Sequence, residues 1–122
     1  MHILLLGKNG QIGWELQRAL APLGRLTALD RHSTEYCGDL SRPDELARTI
    51  RKLKPDVIVN AAAYTAVDKA ESDPSLAELI NATSVAVLAK EAEVLGAWLV
   101  HYSTDYVFNG NGTRPWQETD IP

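Results

Sequence analysis

Ile3-Leu4-Leu5-Leu6 is an unbroken apolar run that stops at Gly7, and glycine returns at Gly10 and Gly13. Four consecutive apolar residues suit a strand buried on both faces, the habit of parallel sheets. Ile12, Leu16, Ala19, Leu20 and Leu23 then recur at helical spacing, predicting a helix over 11–23 that closes at Pro22-Leu23-Gly24. Strand, glycine turn and helix together form the opening half of a βαβ unit. Glycines there allow a tight turn and let a pyrophosphate approach the helix N-terminus, where unpaired N–H groups and the helix dipole favour negative charge. Gly13 also permits close packing of helix on strand. The spacing is G-x-x-G-x-x-G rather than G-x-G-x-x-G. A ligand-free βα turn is the competing reading, and the strand–turn–helix context favours binding.

The rest of the chain repeats the alternation. Strands are expected at Leu26 to Leu29, at a very short Glu35-Tyr36-Cys37, at Val57-Ile58-Val59 and at Trp98 to Tyr102. Helices are expected over 42–53, with Ser41 as N-cap and Leu46, Ile50 and Leu53 on one face; over 65–71; and from 75 to about 95, with Gly96 beyond its end. After Ser103 the chain reads as loop. The result is an α/β protein with a parallel sheet.

Charge and composition narrow the function classes. With 12 Lys and Arg against 16 Asp and Glu, the net charge is -4, which argues against a nucleic-acid module. No apolar run approaches the roughly 18 residues of a membrane span. The N-terminus lacks the pattern of a secretory signal, and the lone Cys37 has no disulfide partner. A cytoplasmic location and no membrane partner are therefore expected. His2, His32 and His101 lack metal-like spacing, and His101, inside an apolar strand, reads as a core histidine.

Several residues stand where chemistry is expected. Asp30 ends the second strand, 17 residues after Gly13, the place of an acceptor for an adenosine ribose. Arg31 follows and suits a 2′-phosphate instead. The pair therefore leaves NADH and NADPH both open. Asp39 and Leu40 read either as adenine contacts or as a loop carboxylate and a core leucine. Asn60-Ala61-Ala62-Ala63 ends a central strand, where open parallel sheets bind ligands. Asn81 shares a stripe with Val85, Leu88, Ala92 and Leu95. A polar amide there either bonds backbone or holds a water near an active site. Ser103-Thr104-Asp105-Tyr106-Val107-Phe108 follows the last strand, and a Thr hydroxyl there suits a carbonyl oxygen receiving hydride.

Gly7-Lys8-Asn9-Gly10-Gln11-Ile12-Gly13-Trp14-Glu15-Leu16, Asn60 through Glu71 and Ser103 through Phe108 together resemble the dTDP-4-dehydrorhamnose reductases, extended short-chain dehydrogenase/reductases. The resemblance runs along the whole chain. It implies a Rossmann-like, doubly wound parallel sheet, incomplete, with the first five strands in the order 3-2-1-4-5. It implies reduction of the C4 ketone of dTDP-6-deoxy-L-lyxo-4-hexulose by NADPH or NADH, the step that yields dTDP-L-rhamnose for cell-surface polysaccharide such as O-antigen. By match of motif, Gly7, Asn9, Gly10, Gln11, Ile12, Asp30 and Arg31 would hold the adenosine and phosphates. Asp39 and Leu40 would contact adenine, and Ala61, Ala62, Ala63 and Tyr64 would line the cofactor groove. Thr104 would be the hydroxyl of the family's Ser/Thr–Tyr–Lys triad, and Asn81 the proton-relay asparagine. Asp105 and Tyr106 would touch the dTDP-sugar substrate. Glu15 would match a Mg²⁺ ligand between subunits of a homodimer.

The family's Tyr-x-x-x-Lys does not occur in this sequence. Tyr36, Tyr64, Tyr102 and Tyr106 are followed four residues on by Leu40, Asp68, Tyr106 and Gly110. Residues 1–122 are therefore expected to be an NAD(P)-binding Rossmann portion that stops before that helix, without a sugar-nucleotide domain and inactive alone. A non-catalytic dinucleotide-binding regulatory subunit and another sugar-nucleotide epimerase or dehydratase are the alternatives.

Overall fold

The computed structural model describes the backbone of residues 1–122 and every side chain except those of Val67 and Asp105, so the expected sugar contact of Asp105 lies outside the described residues. The chain runs β1 (His2–Leu6), α1 (Gln11–Leu20), β2 (Arg25–Leu29), α2 (Pro43–Leu53), β3 (Val57–Asn60), α3 (Val67–Ser72), α4 (Pro74–Glu78), α5 (Ser84–Leu95) and β4 (Trp98–His101). The four strands form one parallel sheet in the order β2-β1-β3-β4.

The apolar run of β1 explains the layering. Successive side chains of a strand point to opposite faces. Ile3 and Leu5 meet Val59 and, from α1, Leu16 and Leu20 on one face. Leu4 and Leu6 meet Leu46 and Ile50 of α2 and Leu88 and Ala92 of α5 on the other. Both faces of β1 are thus covered, which is why it carries no polar alternation. Each such fully buried leucine or isoleucine contributes about 1.5–3 kcal/mol.

Four expectations need correction. Glu35-Tyr36-Cys37 is not a strand but a bend, so the sheet has four strands rather than five and β2 is its edge. Tyr36 packs on the α2 side of the core, with the Lys52 ammonium 5.2 Å from its ring centre. Ser41 does not cap α2. Its N–H and hydroxyl both donate to the Asp39 carboxylate, and Arg42 holds the cap position. The helix expected from 75 is interrupted by a π-turn at Leu79–Thr83. The first helix ends at Leu20, and Ala21–Leu23, with Pro22 in it, tightens into a 3₁₀ turn.

One ion pair ties two helices on the α2 side. Arg51 of α2 donates through Nε to Glu91 of α5 at 2.8 Å and through a second nitrogen to the other carboxylate oxygen. Glu91 is buried. The Arg51 hydrogen bonds hold its carboxyl below the ordinary value of 4.5 against the opposing effect of desolvation. A depressed carboxylate stabilises the fold above its unfolded-state value, and the contribution is lost as pH falls through the folded-state value. Arg51→Ala is therefore expected to lower the urea midpoint at neutral pH, with the gap from the parent closing as pH drops through the carboxylate range. A gap that stays constant across that range contradicts this role.

Candidate functional site

Strand register assembles the site. Leu6 pairs with Leu29 and with Asn60, and Asn60 pairs with His101, so all four strands end level at one edge. The segments that follow them therefore emerge side by side: the glycine turn, Asp30, Ala61 to Ala63, and Ser103-Thr104. In open parallel sheets ligands bind outside this edge, where neighbouring connections diverge to opposite faces. Here β1 is that place, with β2 on one side and β3 on the other.

The turn itself requires glycine. Gly7 has φ +83°, and a Cβ on it would stand 2.7 Å from the Ala62 backbone nitrogen. A Cβ on Gly13 would stand 2.0 Å from the Gly7 carbonyl oxygen, well inside any contact distance. Gly7 thus lies against the chain after β3, and α1 lies against Gly7. The start of α1 has Gly10 as its cap, no side-chain cap and no acidic residue in the first turn. Its first N–H groups therefore keep the anion-attracting character of a helix N-terminus. Asn9, Gln11 and Ile12 are exposed around it.

Asp30 is the hub of the next segment. Its Oδ1 accepts from the His32 N–H at 2.9 Å and from the Ser33 hydroxyl at 3.1 Å, and its Oδ2 accepts from Asn9 Nδ2. Partial desolvation pushes the carboxyl up. The His32 N–H, the Ser33 hydroxyl and the nearby Lys8 charge outweigh it and hold the carboxyl below its ordinary value. The Asn9 bond ties the glycine turn to the end of β2. Arg31 is exposed beside it.

On the other side, Asn60 is buried and fully bonded. Its Oδ1 accepts the Ala62 N–H at 3.1 Å, and its amide lies 3.1 Å from His101 Nδ1. Asn81 works similarly from the π-turn. Its Oδ1 accepts the Tyr64 N–H at 2.8 Å and its Nδ2 donates to the Tyr64 carbonyl at 3.1 Å. Both ends of the Ala61–Tyr64 segment are thereby held. Thr104 Oγ1 accepts the Tyr106 N–H at 3.2 Å, and Tyr106 is 85% exposed.

The family model described as the RmlD substrate binding domain matches residues 1–122. The dTDP-4-dehydrorhamnose reductase of Salmonella typhimurium strain LT2 is 70% identical over 120 residues, covering 98% of this chain and 40% of that protein. The chain belongs to the dTDP-4-dehydrorhamnose reductase family. It spans about 40% of the length of the curated relatives it matches. The crystal structure of a dTDP-4-dehydrorhamnose reductase from Clostridium acetobutylicum matches 99% of this chain and 42% of its own, at a TM-score of 0.89 and 37% identity. That of the Bacillus anthracis reductase, in complex with NADP, matches 91% of this chain and 39% of its own at TM-score 0.79 and 33% identity.

Within the dTDP-4-dehydrorhamnose reductase frame, the expected residues divide. The glycine turn, Asp30, Ala61 to Tyr64 and Thr104 come to one edge. Leu40 does not join them as a free side chain. It is 4% exposed and belongs to the core, while Asp39 is engaged with Ser41. Asn81 leaves its predicted stripe because the extra residue of the π-turn rotates it out, and it is exposed while Leu88 and Ala92 stay buried. His101 is an exposed residue at the sheet edge rather than a core histidine, and the buried histidine is His2. Glu15 pairs with Arg18 on the exposed face of α1. Among the described residues no group of three or more His, Cys, Asp or Glu side chains is placed to hold a metal, and no helix is long and apolar enough to cross a membrane. Lys8 beside Asp30 and the Asn60–His101 pair are site features that no sequence pattern singled out. A polar residue closing a buried strand was the available signal for Asn60.

Proposed function

We propose that these residues form the dinucleotide-binding part of a cytoplasmic dTDP-4-dehydrorhamnose reductase, which converts dTDP-6-deoxy-L-lyxo-4-hexulose to dTDP-L-rhamnose for cell-surface polysaccharide. The observation that carries this reading is the uncapped start of α1, packed through Gly13 and Gly7 against Ala61-Ala62. Glycine at these positions lets backbone pack directly on backbone, which leaves the N–H groups at the start of α1 uncovered by side chains for a pyrophosphate. NADPH or NADH, when bound, supplies the hydride.

Each residue then has a task. Gly7, Asn9, Gly10, Gln11 and Ile12 present the turn and helix start to the diphosphate. Asp30 and Arg31 face the adenosine ribose. Ala61, Ala62, Ala63 and Tyr64 form a thin wall that leaves room for a flat ring. Asn81 is a positioning residue that acts through Tyr64. Thr104 orients the sugar ketone and Tyr106 contacts the sugar. The Tyr-x-x-x-Lys pair that would complete the family's triad does not occur among these residues. Homodimerisation of that enzyme through the exposed Trp14–Glu15 surface of α1 fits the same reading. Glu15, a single carboxylate paired with Arg18, does not by itself fit a divalent cation.

The test is calorimetric titration of the folded chain with NADP⁺ and NAD⁺, beside an assay of NADPH oxidation with the 4-keto sugar nucleotide. Binding without turnover is expected. A missing general acid alone costs about 10²–10⁴-fold in rate. Failure to bind either nucleotide overturns the cofactor reading. Turnover matching a full-length relative overturns the placement of the proton donor outside these residues.

A further inference from the structure

We infer that His2 is a proton-sensitive latch joining β1, β2 and the end of α2, set at the sheet edge opposite the glycine turn. It is a conformational device of the fold and stands independently of the cofactor reading. His2 is 7% exposed, and its contacts come from three distant stretches of chain. Its backbone N–H donates to Asp56 Oδ2 at 2.6 Å, just before β3. In β2, Thr27 Oγ1 lies 2.9 Å from its Nε2, and an Arg25 guanidinium nitrogen lies 2.7 Å from its Nδ1. The carbonyl of Leu53, the last residue of α2, is 3.2 Å from the same Nδ1.

Arginine donates hydrogen bonds and accepts none. The 2.7 Å contact therefore requires a lone pair on Nδ1, which puts the proton of the neutral ring on Nε2, donating to Thr27. The Leu53 carbonyl then faces the same lone pair and receives nothing from the ring. A second proton has one place to go, Nδ1. There it donates to Leu53 and confronts the Arg25 donors, cation against cation. Arg25 is exposed and free to swing away, whereas the Leu53 carbonyl is fixed by α2. Protonation thus exchanges a tie between β1 and β2 for a tie between β1 and a helix C-terminus, where the dipole favours positive charge.

The surrounding groups oppose that exchange on balance. Burial acts against the imidazolium first and Arg25 second, while the Leu53 carbonyl and Asp56 support it and the N-terminal ammonium repels it. Together they hold the ring below its ordinary value of 6.5. Glu35 and Tyr36 line the groove beyond Arg25, Lys52 of α2 sits over the Tyr36 ring, and Lys8, Asp30 and His32 line the groove near the other end of β2. A histidine held low takes up its proton more readily in the unfolded chain. Its contribution to stability is therefore complete above about pH 6.5 and is lost as pH falls from there through the folded-state value.

The test follows the His2 ring by ¹H–¹⁵N NMR between about pH 8 and about pH 5, in the parent chain and in Arg25→Met. Urea midpoints are measured over the same range for the parent and His2→Gln. The neutral ring is expected to carry its proton on Nε2 and to titrate below 6.5 in the parent. In Arg25→Met the titration is expected to move up from the parent's, because the competing cation is gone while the Leu53 carbonyl and Asp56 remain. The urea midpoint of the parent is expected to fall relative to that of His2→Gln as pH drops through this range. His32 and His101 titrate in both proteins and cancel in that difference. Should His2→Gln fail to fold, the ring titrations of the parent and Arg25→Met decide. A neutral ring protonated on Nδ1, a titration at or above 6.5 in the parent, or one that Arg25→Met leaves in place, overturns the proposal. So does a midpoint difference that stays constant with pH.

Discussion

Gly13→Val is expected to unfold the chain or shift its urea midpoint by the largest amount of any single change in the site. A Cβ at this position would stand 2.0 Å from the Gly7 carbonyl oxygen and 2.7 Å from its carbon. Both neighbours are backbone, so no side-chain rotation relieves the clash. Either α1 moves off β1, uncovering Ile3 and Leu5, or the turn opens. Strain of this kind costs on the order of 4 kcal/mol or more, a large part of the 5–15 kcal/mol roughly expected for a whole domain. Gly10→Ala provides the contrast, because the nearest atom to its Cβ is 3.4 Å away. That variant is expected to stay within about 1 kcal/mol of the parent. Urea titration monitored by circular dichroism reads both. Equal midpoints for Gly13→Val and the parent would refute the close approach of helix and turn.

Asn60→Ala is expected to give the second largest effect, and on binding as well as stability. Asn60 is 1% exposed, and both ends of its amide are used, on Ala62 and on His101. Removing it leaves the Ala62 N–H without its acceptor beside the glycine turn. Such a loss costs about 1–3 kcal/mol, and a loosened Ala61–Ala63 wall is expected to weaken dinucleotide binding about tenfold, equivalent to about 1.4 kcal/mol. Asn60→Asp separates the two bonds. It keeps an acceptor for the Ala62 N–H but presents no donor to His101 and buries a carboxylate, so stability is expected to fall while the Ala61–Ala63 segment stays held. Asn60→Ala binding NADP⁺ as tightly as the parent would show that the wall does not depend on this side chain.

The parts of the fold that were legible in the sequence are those decided by local pattern. The β1 run, the glycine spacing and the apolar face of α2 each report their own surroundings and appear as read, whereas of the stripe expected on the first helix only Leu16 and Leu20 reach the core, and Ile12, Ala19 and Leu23 are exposed. Features set by distant contacts were not visible. Glu35-Tyr36-Cys37 has strand-like residues, yet it pairs with no strand and Tyr36 packs against the core on the α2 side. The π-turn leaves no mark in the spacing of Asn81, Val85 and Leu88, because one inserted residue changes the face without changing the composition. Leu40 was open between adenine and core, and its burial in the core depends on the sheet beneath it. The Asn60–His101 pair depends on β3–β4 register, which no single strand encodes. Asp30 stood out by its spacing from Gly13, whereas its ties to Asn9, His32 and Ser33 depend on how the chain folds back after β2.

In this reading the glycine turn and the chain after β3 together receive a dinucleotide diphosphate. Titration of the ¹⁵N-labelled chain with NADP⁺, followed through its amide resonances, addresses it residue by residue. The largest shifts are expected at Gly7, Gly10, Gln11, Ile12 and Gly13, with a second group at Ala61 to Ala63, and little change at the opposite edge of the sheet around Arg25 and Trp98. Shifts confined to other surfaces, or none at saturating nucleotide in a folded sample, would contradict it.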